Sequence, residues 1–323
     1  MVYVKLTTEN DTHHGYQYKE GLNCLNGEFN NEKVCGSGGL YFCSEKDIGK
    51  WVEYNNKLMH YIWDVELCED SKIVDMGDKL KTDKFILSNK RKIWDNEELC
   101  KLAVQNNHKA LHYVEEQTEE ICKLAIQQNW YTLQYVKPEL MSYEICKLAI
   151  QQSGYALFYI KEQTEELCKL AIQNNYKALQ YVKEQNEELC KLAVQQNWNA
   201  LQFVKPELMS YEICKLAIQQ DAFALCYVKE QTEEICKFTV QQDGYFLKYV
   251  NPELMNEEIC KLAVQQNGES LQFVKPELMS YEMCKLAVQQ NIHTLCYVPP
   301  ELMTKEICKL AVKRDGFALE INK

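Results

Sequence analysis

EEICKLAIQQNW, residues 119–130, has nine other close versions between residue 97 and the end of the chain at Lys323. Each version carries a cysteine at the same place: Cys100, Cys122, Cys146, Cys168, Cys190, Cys214, Cys236, Cys260, Cys284 and Cys308. Successive cysteines are 22, 24, 22, 22, 24, 22, 24, 24 and 24 residues apart. A fixed short period of this kind is the signature of a solenoid. The unit divides into two short helices. In the first, Ile121, Cys122, Leu124, Ala125 and Ile126 span more than half the circumference of an α-helix. A surface helix needs a narrower stripe, so this one is covered on both flanks, as stacking covers it. Thr118 and its counterparts Ser142, Thr164, Asn186 and Thr304 are placed as N-caps. Glu120 and Lys123 pair across one turn, and Asn129 suits the turn past a helix end. The second helix, WYTLQYV at 130–136, has Leu133 and Val136 on its inner edge. Alone it is marginal in water, so several copies must support one another.

Two connectors lead onward. One is short, as in EEQTEE at 115–120. The other adds two residues and reads PELM, at 138–141, 206–209, 252–255, 276–279 and 300–303. Proline suits a first helical position, so PELM opens an extra turn whose Leu and Met cover the seam between copies. The last copy changes as an end cap should, with Lys313-Arg314 for Gln-Gln and Ile321-Asn322 for Tyr-Val. The expected architecture is mainly α: an α-solenoid of ten short helix pairs in 22/24-residue repeats over 94–323, preceded by a small α+β domain over 1–93.

Residues 1–93 lack the repeat and hold most of the glycines, notably in CGSGGLYFC at 35–43. Strand-like runs are VYVKLT (2–7), LYFC (40–43), HYIWDVEL (60–67) and KFILSN (84–89), and a helix is expected over DIGKWVEYNNKL (47–58). Gly38 and Gly39 read as a turn into a buried strand.

The sixteen cysteines do not read as a disulfide framework. Stacked helices lie about 8–10 Å apart, whereas a disulfide needs Cα atoms within about 7 Å. The ladder is expected to be small buried thiols. Cys24, Cys35, Cys43 and Cys68, with His13, His14 or His60, lack a C-x-x-C knuckle and read as buried or semi-buried structural cysteines rather than as a zinc site. No metal and no cofactor is expected. The net charge of −11 disfavours nucleic acid, since phosphate contacts need clustered Lys and Arg. Residues 1–90 alone carry 11 lysines against 15 acids. No apolar run approaches the ~20 residues of a membrane span, and the start carries no signal core, so a cytosolic location is expected.

The unit CKLAVQQNxxALQYV, joined by KxQTEE or KPELMSYE, resembles a repeat abundant in proteins of giant amoeba viruses of the mimivirus kind, over residues 95–323. The front part, with GYQYKEGLN, CGSGGLYF and KTDKFILSNK, is similar to the N-terminal domain that precedes repeats in many of those proteins. The resemblance implies a viral protein in the cytoplasm of an infected cell, or in the virion, and supplies no mechanism. A second resemblance is to ADP-ribosyltransferases of the poly-ADP-ribose polymerase type, through His14-Gly15, Gly39-Leu40-Tyr41-Phe42 and HYIWDVEL. It implies a His for the cofactor ribose and an acid late in the sheet. Lys84 stands roughly where that acid is expected, and the tyrosine that sandwiches nicotinamide is not placed, though Trp51 and Tyr54 are near. The sequence therefore assigns no catalytic residue.

The copies also differ in an ordered way. Around Leu133 the variable positions are three before, two before and one after. On an α-helical wheel they form one wedge, about 60°, 160° and 100° from the leucine. The wedge includes His108, Trp130, Tyr131, Tyr155, Tyr176, Trp198, Phe223, Tyr245, His293 and Phe317. Variable aromatics on a rigid array suit protein recognition. The leading expectation is a non-enzymatic binding scaffold or adaptor with a protein partner, host or viral. The alternatives are an ADP-ribosyltransferase-like front domain, active or degenerate, targeted by the repeats, and a structural component of the virion or viral factory. Aromatics that merely pack between turns, or drift after duplication, would give the same pattern.

Overall fold

The computed structural model describes residues 2–314, apart from Val34 and Ser37. It divides into two compact units, Met1–Glu162 and Gln163–Lys323. The first unit begins with short strands: β1 (Tyr3–Thr7), β2 (Thr12–His13), β3 (Tyr16–Gln17), β4 (Gly21–Cys24), β5 (Leu40–Ser44) and β6 (Glu53–Tyr54). There follow β7 (Lys57–Leu58), β8 (Tyr61–Glu66), β9 (Ile73–Asp75), β10 (Leu80–Thr82) and β11 (Lys84–Lys92). Seven of them form one antiparallel sheet in the order β4-β11-β8-β1-β5-β10-β9, and β2-β3 and β6-β7 are separate two-stranded ribbons.

The four apolar runs read from the sequence are β1, β5, β8 and β11, which make up the middle of this sheet. β1 lies between β5 and β8, with Val4 opposite Cys43 and Leu6 opposite Ile62. Both of its faces are covered: Val4 and Leu6 are buried on one, Lys5 and Thr7 on the other. Tyr18, Leu40, Phe42, Trp63, Phe85 and Leu87 form the core on that second side. Gly38 has a left-handed φ of +98°, and a side chain at Gly39 would collide with Lys81, so the pair does turn the chain into the buried strand β5. The helix expected over 47–58 is not formed. A 3₁₀ turn covers Glu45–Lys50, and 53–58 is the hairpin β6-β7. Asn55 and Asn56 both adopt positive φ, 51° and 59°. That is the hairpin turn for which Asn is chosen, and it overrode the apolar spacing.

The same unit contains the first three repeat helices: α1 (Glu97–Asn106), α2 (Glu119–Gln128) and α3 (Tyr143–Gln152). The second contains α4 (Glu165–Asn174), α5 (Glu187–Gln196), α6 (Tyr211–Gln220), α7 (Glu233–Gln242), α8 (Glu257–Gln266), α9 (Tyr281–Gln290) and α10 (Lys305–Arg314). Each is ten residues long, too short to persist alone. In α2, Ile121, Cys122, Ala125 and Ile126 are buried and Leu124 is half-buried. Thr118 accepts from the Ile121 N–H, and Ser142, Thr164, Asn186 and Thr304 cap their own helices in the same way.

Each helix from α1 to α9 is followed by a six-residue 3₁₀ segment, such as Trp130–Tyr135. Asn129, between the two, is in an extended conformation, φ −158° and ψ 116°. It does not make the left-handed turn read from the sequence. Its side chain accepts from the Tyr131 N–H and so caps the 3₁₀ segment that follows. The PEL triplets at 138–140, 206–208, 276–278 and 300–302 each form one further 3₁₀ turn. The expected i,i+3 pairing of Glu120 with Lys123 is also replaced. Glu120 reaches back to Lys101 at 2.9 Å, while Lys123 pairs with Glu119. The same backward reach joins Glu188 to Lys169, Glu258 to Lys237 and Glu306 to Lys285.

In the first unit the 3₁₀ turn Glu45–Lys50, which follows β5, is in direct contact with α1. Asn106 Nδ2 donates to the Lys46 carbonyl at 2.8 Å. A Cβ on Gly49 would lie 2.4 Å from the Ala103 carbonyl oxygen.

Candidate functional site

The cysteine ladder resolves first, because its chemistry is local. From Cys100 to Cys284 the repeat cysteines are buried, and Cys308 is half-buried. Where the short connector precedes the helix, the thiol faces the connector's glutamine: Cys122 Sγ lies 3.7 Å from Gln117 Oε1, and Cys190 and Cys236 repeat this with Gln185 and Gln231. That glutamine also bonds the backbone of the next 3₁₀ segment. Gln117 Nε2 donates to the Tyr135 carbonyl at 2.8 Å, and Gln117 Oε1 accepts from the Lys137 N–H at 2.9 Å. After PELM the thiol turns instead to the Met carbonyl, as Cys146 does to Met141. Burial pushes the Cys122, Cys190 and Cys236 thiols up to about 11, away from the reactive thiolate. Outside the ladder, Cys43 is buried and Cys68 half-buried, but Cys24 and Cys35 are exposed, contrary to the expectation that all four are covered. Among the described residues no cluster of three or more His, Cys, Asp or Glu side chains has the arrangement to hold a metal ion.

The variable wedge is reshaped by the 3₁₀ geometry. With three residues per turn, residues i and i+3 eclipse one another. The first wedge position therefore falls on the leucine's face, not 60° from it. His108, Trp130, Tyr176 and Trp198 occupy this position and are half-buried. Its backbone N–H is taken by a glutamine of the following helix: Trp130 N donates to Gln152 Oε1 and Trp198 N to Gln220 Oε1, both at 3.0 Å. The second and third positions eclipse each other on an outward face. Tyr131 is 48% exposed, Phe223 39% and Tyr245 37% at the second position, where His293 is also exposed and Tyr155 half-buried. At the third, Phe158 is 63% exposed. Phe158 is absent from the residues singled out by sequence, although its position varies. Phe317 lies outside the described residues.

Outward rings touch the next copy. Tyr131 and Tyr159 are 5.6 Å apart edge to face in the first unit, as are Phe223 and Tyr249 at 5.5 Å and Tyr245 and Phe273 at 5.2 Å in the second. Lys248 lies 4.1 Å over the Tyr245 ring. The outward faces thus mix exposed rings with polar side chains, such as Lys109 in the first unit and Lys177, Gln202 and Glu269 in the second.

In the sheet, a cleft of about 370 Å³, its open mouth included, lies between β1, β5 and the two small ribbons. His14, Tyr41, Trp51 and Tyr54 wall it, with Val4, Leu6, Phe42 and Cys43 among its apolar lining. His14 has a left-handed φ of +53° and stacks on His13 at 4.4 Å. Beneath them Lys5 is 2% exposed, with Nζ 2.7 Å from His13 Nδ1 and 4.4 Å from the centre of the Tyr18 ring. Burial pushes the Lys5 ammonium down to about 7. Burial first, then the Lys5 charge, pushes His13 down to about 2. The sequence singled out His14, Tyr41, Trp51 and Tyr54 only through the ADP-ribosyltransferase resemblance, without grouping them, and it missed Lys5, which the strand's alternation puts on the His13 side. Lys84, at the position of the sought acid, pairs with Asp70 and is not among the cleft residues.

The model of a domain of unknown function, DUF4116, matches residues 96–141, 118–164, 164–209, 186–231, 232–279 and 280–321. The uncharacterized protein R869 of Acanthamoeba polyphaga mimivirus is 47% identical over 55 residues, 16% of this chain and 40% of that protein. The putative ankyrin repeat protein R868 of the same virus is 33% identical over 97 residues, 29% of this chain and 48% of that protein. The putative ankyrin repeat protein R896 is 38% identical over 55 residues, 17% of each. The chain thus spans less than half the length of each of these relatives. They bear out the resemblance to repeat proteins of the mimivirus kind. No solved structure matches.

Proposed function

Because the chain belongs to the DUF4116 family, whose unit tiles residues 96–321, we propose that it is a non-enzymatic scaffold that binds a protein partner through the outward face of its 3₁₀ segments. The observation that carries this reading is the exposure of Tyr131, Phe158, Phe223 and Tyr245, at 37–63%, on segments whose central leucine is the same from Leu111 to Leu295. Large rings left in water cost solubility, and they are the side chains that anchor interfaces. Two of the relatives are named as putative ankyrin repeat proteins, which supports the repeat-scaffold part of this reading. The kinship with mimivirus proteins supports a viral origin, and on this reading the protein acts in the cytoplasm of the infected cell or is carried in the particle. No nucleic acid is expected to compete, given the acidic charge.

A photo-crosslinking amino acid at Tyr131 or Phe223 tests the reading. One defined protein from infected-cell extract should be trapped from both positions and not from Glu139, on the connector. Equal and indiscriminate adducts from all three positions would end it.

A further inference from the structure

We propose that the cleft of the sheet binds a small planar aromatic anion, a flat ring carrying one phosphate or carboxylate group. This stands apart from the scaffold reading, because no repeat residue lines the cleft. The walls dictate the ring. Trp51 and Tyr54 lie 5.9 Å apart with their planes tilted by 47°, and Tyr54 and His14 5.2 Å apart at 66°, so the three rings turn a mixed surface of faces and edges to the cleft. Such a surface takes a planar guest by stacking or edge to face.

The polar groups dictate the charge, and they are donors. With the Lys5 ammonium donating to Nδ1, the neutral His13 ring carries its proton on Nε2. That Nε2 is buried and has no hydrogen-bond partner among the described residues. The Tyr41 hydroxyl is engaged with Gly36, and Trp51 Nε1 donates to the Asp78 carbonyl. Lys5, Lys79, the His14 ring and His13 Nε2 therefore remain as the donors to be answered, and among the described residues no carboxylate lines the cleft.

That is notable in a chain of net charge −11. A buried ammonium that meets, among the described residues, an imidazole and a ring face is costly until an anion approaches. At the rim, Lys79 Nζ sits 4.3 Å from the Trp51 ring centre, 5.2 Å from Tyr41 and 5.7 Å from Tyr54. It thus covers the faces a guest ring would take, and it can swing to the guest's anionic group.

Calorimetric titration of the full chain with AMP, benzoate, inorganic phosphate and benzyl alcohol tests the assignment. AMP or benzoate should bind. Phosphate lacks the ring and benzyl alcohol lacks the charge, so each should bind at least about tenfold more weakly. Binding of AMP alone identifies a nucleotide as the source of ring and anion, and binding of benzoate alone a simple aromatic acid. Trp51→Leu and Lys79→Gln should each weaken the bound probe by about tenfold or more. Both lie at the rim, so their melting curves should overlay the parent's. Lys5→Met probes the floor, and if it fails to fold the rim variants decide. No heat from either ring anion at about 1 mM, binding indifferent to both rim variants, or phosphate binding as well as AMP would each overturn the proposal.

Discussion

At the scale of single residues, the two most perturbed groups outside the repeats meet in one contact, Lys5 with His13. Their windows of pH sensitivity differ. His13 is held below its ordinary value of 6.5, at about 2, so the unfolded chain takes up a proton that the folded one refuses. Its contribution to stability is complete above pH 6.5 and is lost progressively as the pH falls from there towards 2. Lys5, lowered from 10.5 to about 7, loses its contribution between those two values and adds no further slope below them. Between pH 6.5 and about 4.5, His13 should therefore dominate of the two. The urea midpoint of the sheet, followed by NMR cross-peaks of β1 and β5, should fall across that range. His13→Gln keeps an acceptor for Lys5 and should flatten the slope. A flat profile for the parent would remove the premise.

The ladder thiols give a second residue-scale expectation. A native-state alkylating reagent should modify Cys24, Cys35, Cys226 and Cys296 quickly, since all four are exposed. The buried ladder from Cys100 to Cys284 should react only on unfolding, because a raised thiol offers little thiolate. Mass spectrometry of the alkylated peptides decides, and early labelling of Cys122 or Cys190 would contradict the burial. Replacing Cys190 by Ser should cost only about 1 kcal/mol, because the hydroxyl can donate to Gln185 Oε1, which the thiol already faces.

At the scale of elements, seams between copies are set by close backbone approach as much as by side-chain volume. Gly244 starts the 3₁₀ segment Gly244–Tyr249, and a Cβ there would lie 2.2 Å from the Ala263 carbonyl oxygen of α8. Its N–H donates to Gln266 at 2.7 Å. Gly→Ala in a compatible backbone commonly stabilises by about 0.4–1 kcal/mol. Here overpacking wins, and Gly244→Ala should destabilise by about 1–3 kcal/mol, seen as a lower urea midpoint. A higher midpoint would mean the seam opens freely.

This is also where sequence reading reached its limit. The period, the caps and the buried cysteine stripe were legible, because a ten-residue helix apolar over half its surface leaves no option but neighbours on both flanks. The 3₁₀ form of the second segment was not, since a six-residue run has too few turns to distinguish three residues per turn from 3.6. That single difference moved Trp130 and Trp198 from the open face to the seam. The backward pairing of Glu120 with Lys101 was hidden for another reason: it depends on the offset between stacked helices, which no single copy contains. In the sheet the four long strands were legible, whereas the Lys5–His13 contact exists only because the β2-β3 ribbon folds back over β1.

At the scale of the whole molecule, the chain separates positions that hold it together from positions that face outward, and one set of substitutions distinguishes them. Trp130 and Trp198 are half-buried and share their first-position face with Leu133 and Leu201. Truncating such a ring to Ala should cost about 3 kcal/mol or more if it behaves as a core aromatic, and proportionately less at half burial. Tyr131, Phe223 and Tyr245 also touch the next copy, but edge-to-face contacts of this kind are worth only about 0.5–1.5 kcal/mol each. For arrays of this length, 1 kcal/mol moves the melting point by about 2–4 °C. The outward residues changed singly to Ala should therefore shift melting by only a few degrees, and the seam tryptophans by clearly more. Partner recovery should follow the opposite order, with about 2 kcal/mol or more lost at each outward anchor. Melting curves recorded beside recovery of the crosslinked partner on the same variants separate the two roles. If the outward variants melt as low as the tryptophan variants while recovering the partner in full, the rings are mortar between copies and the scaffold reading fails.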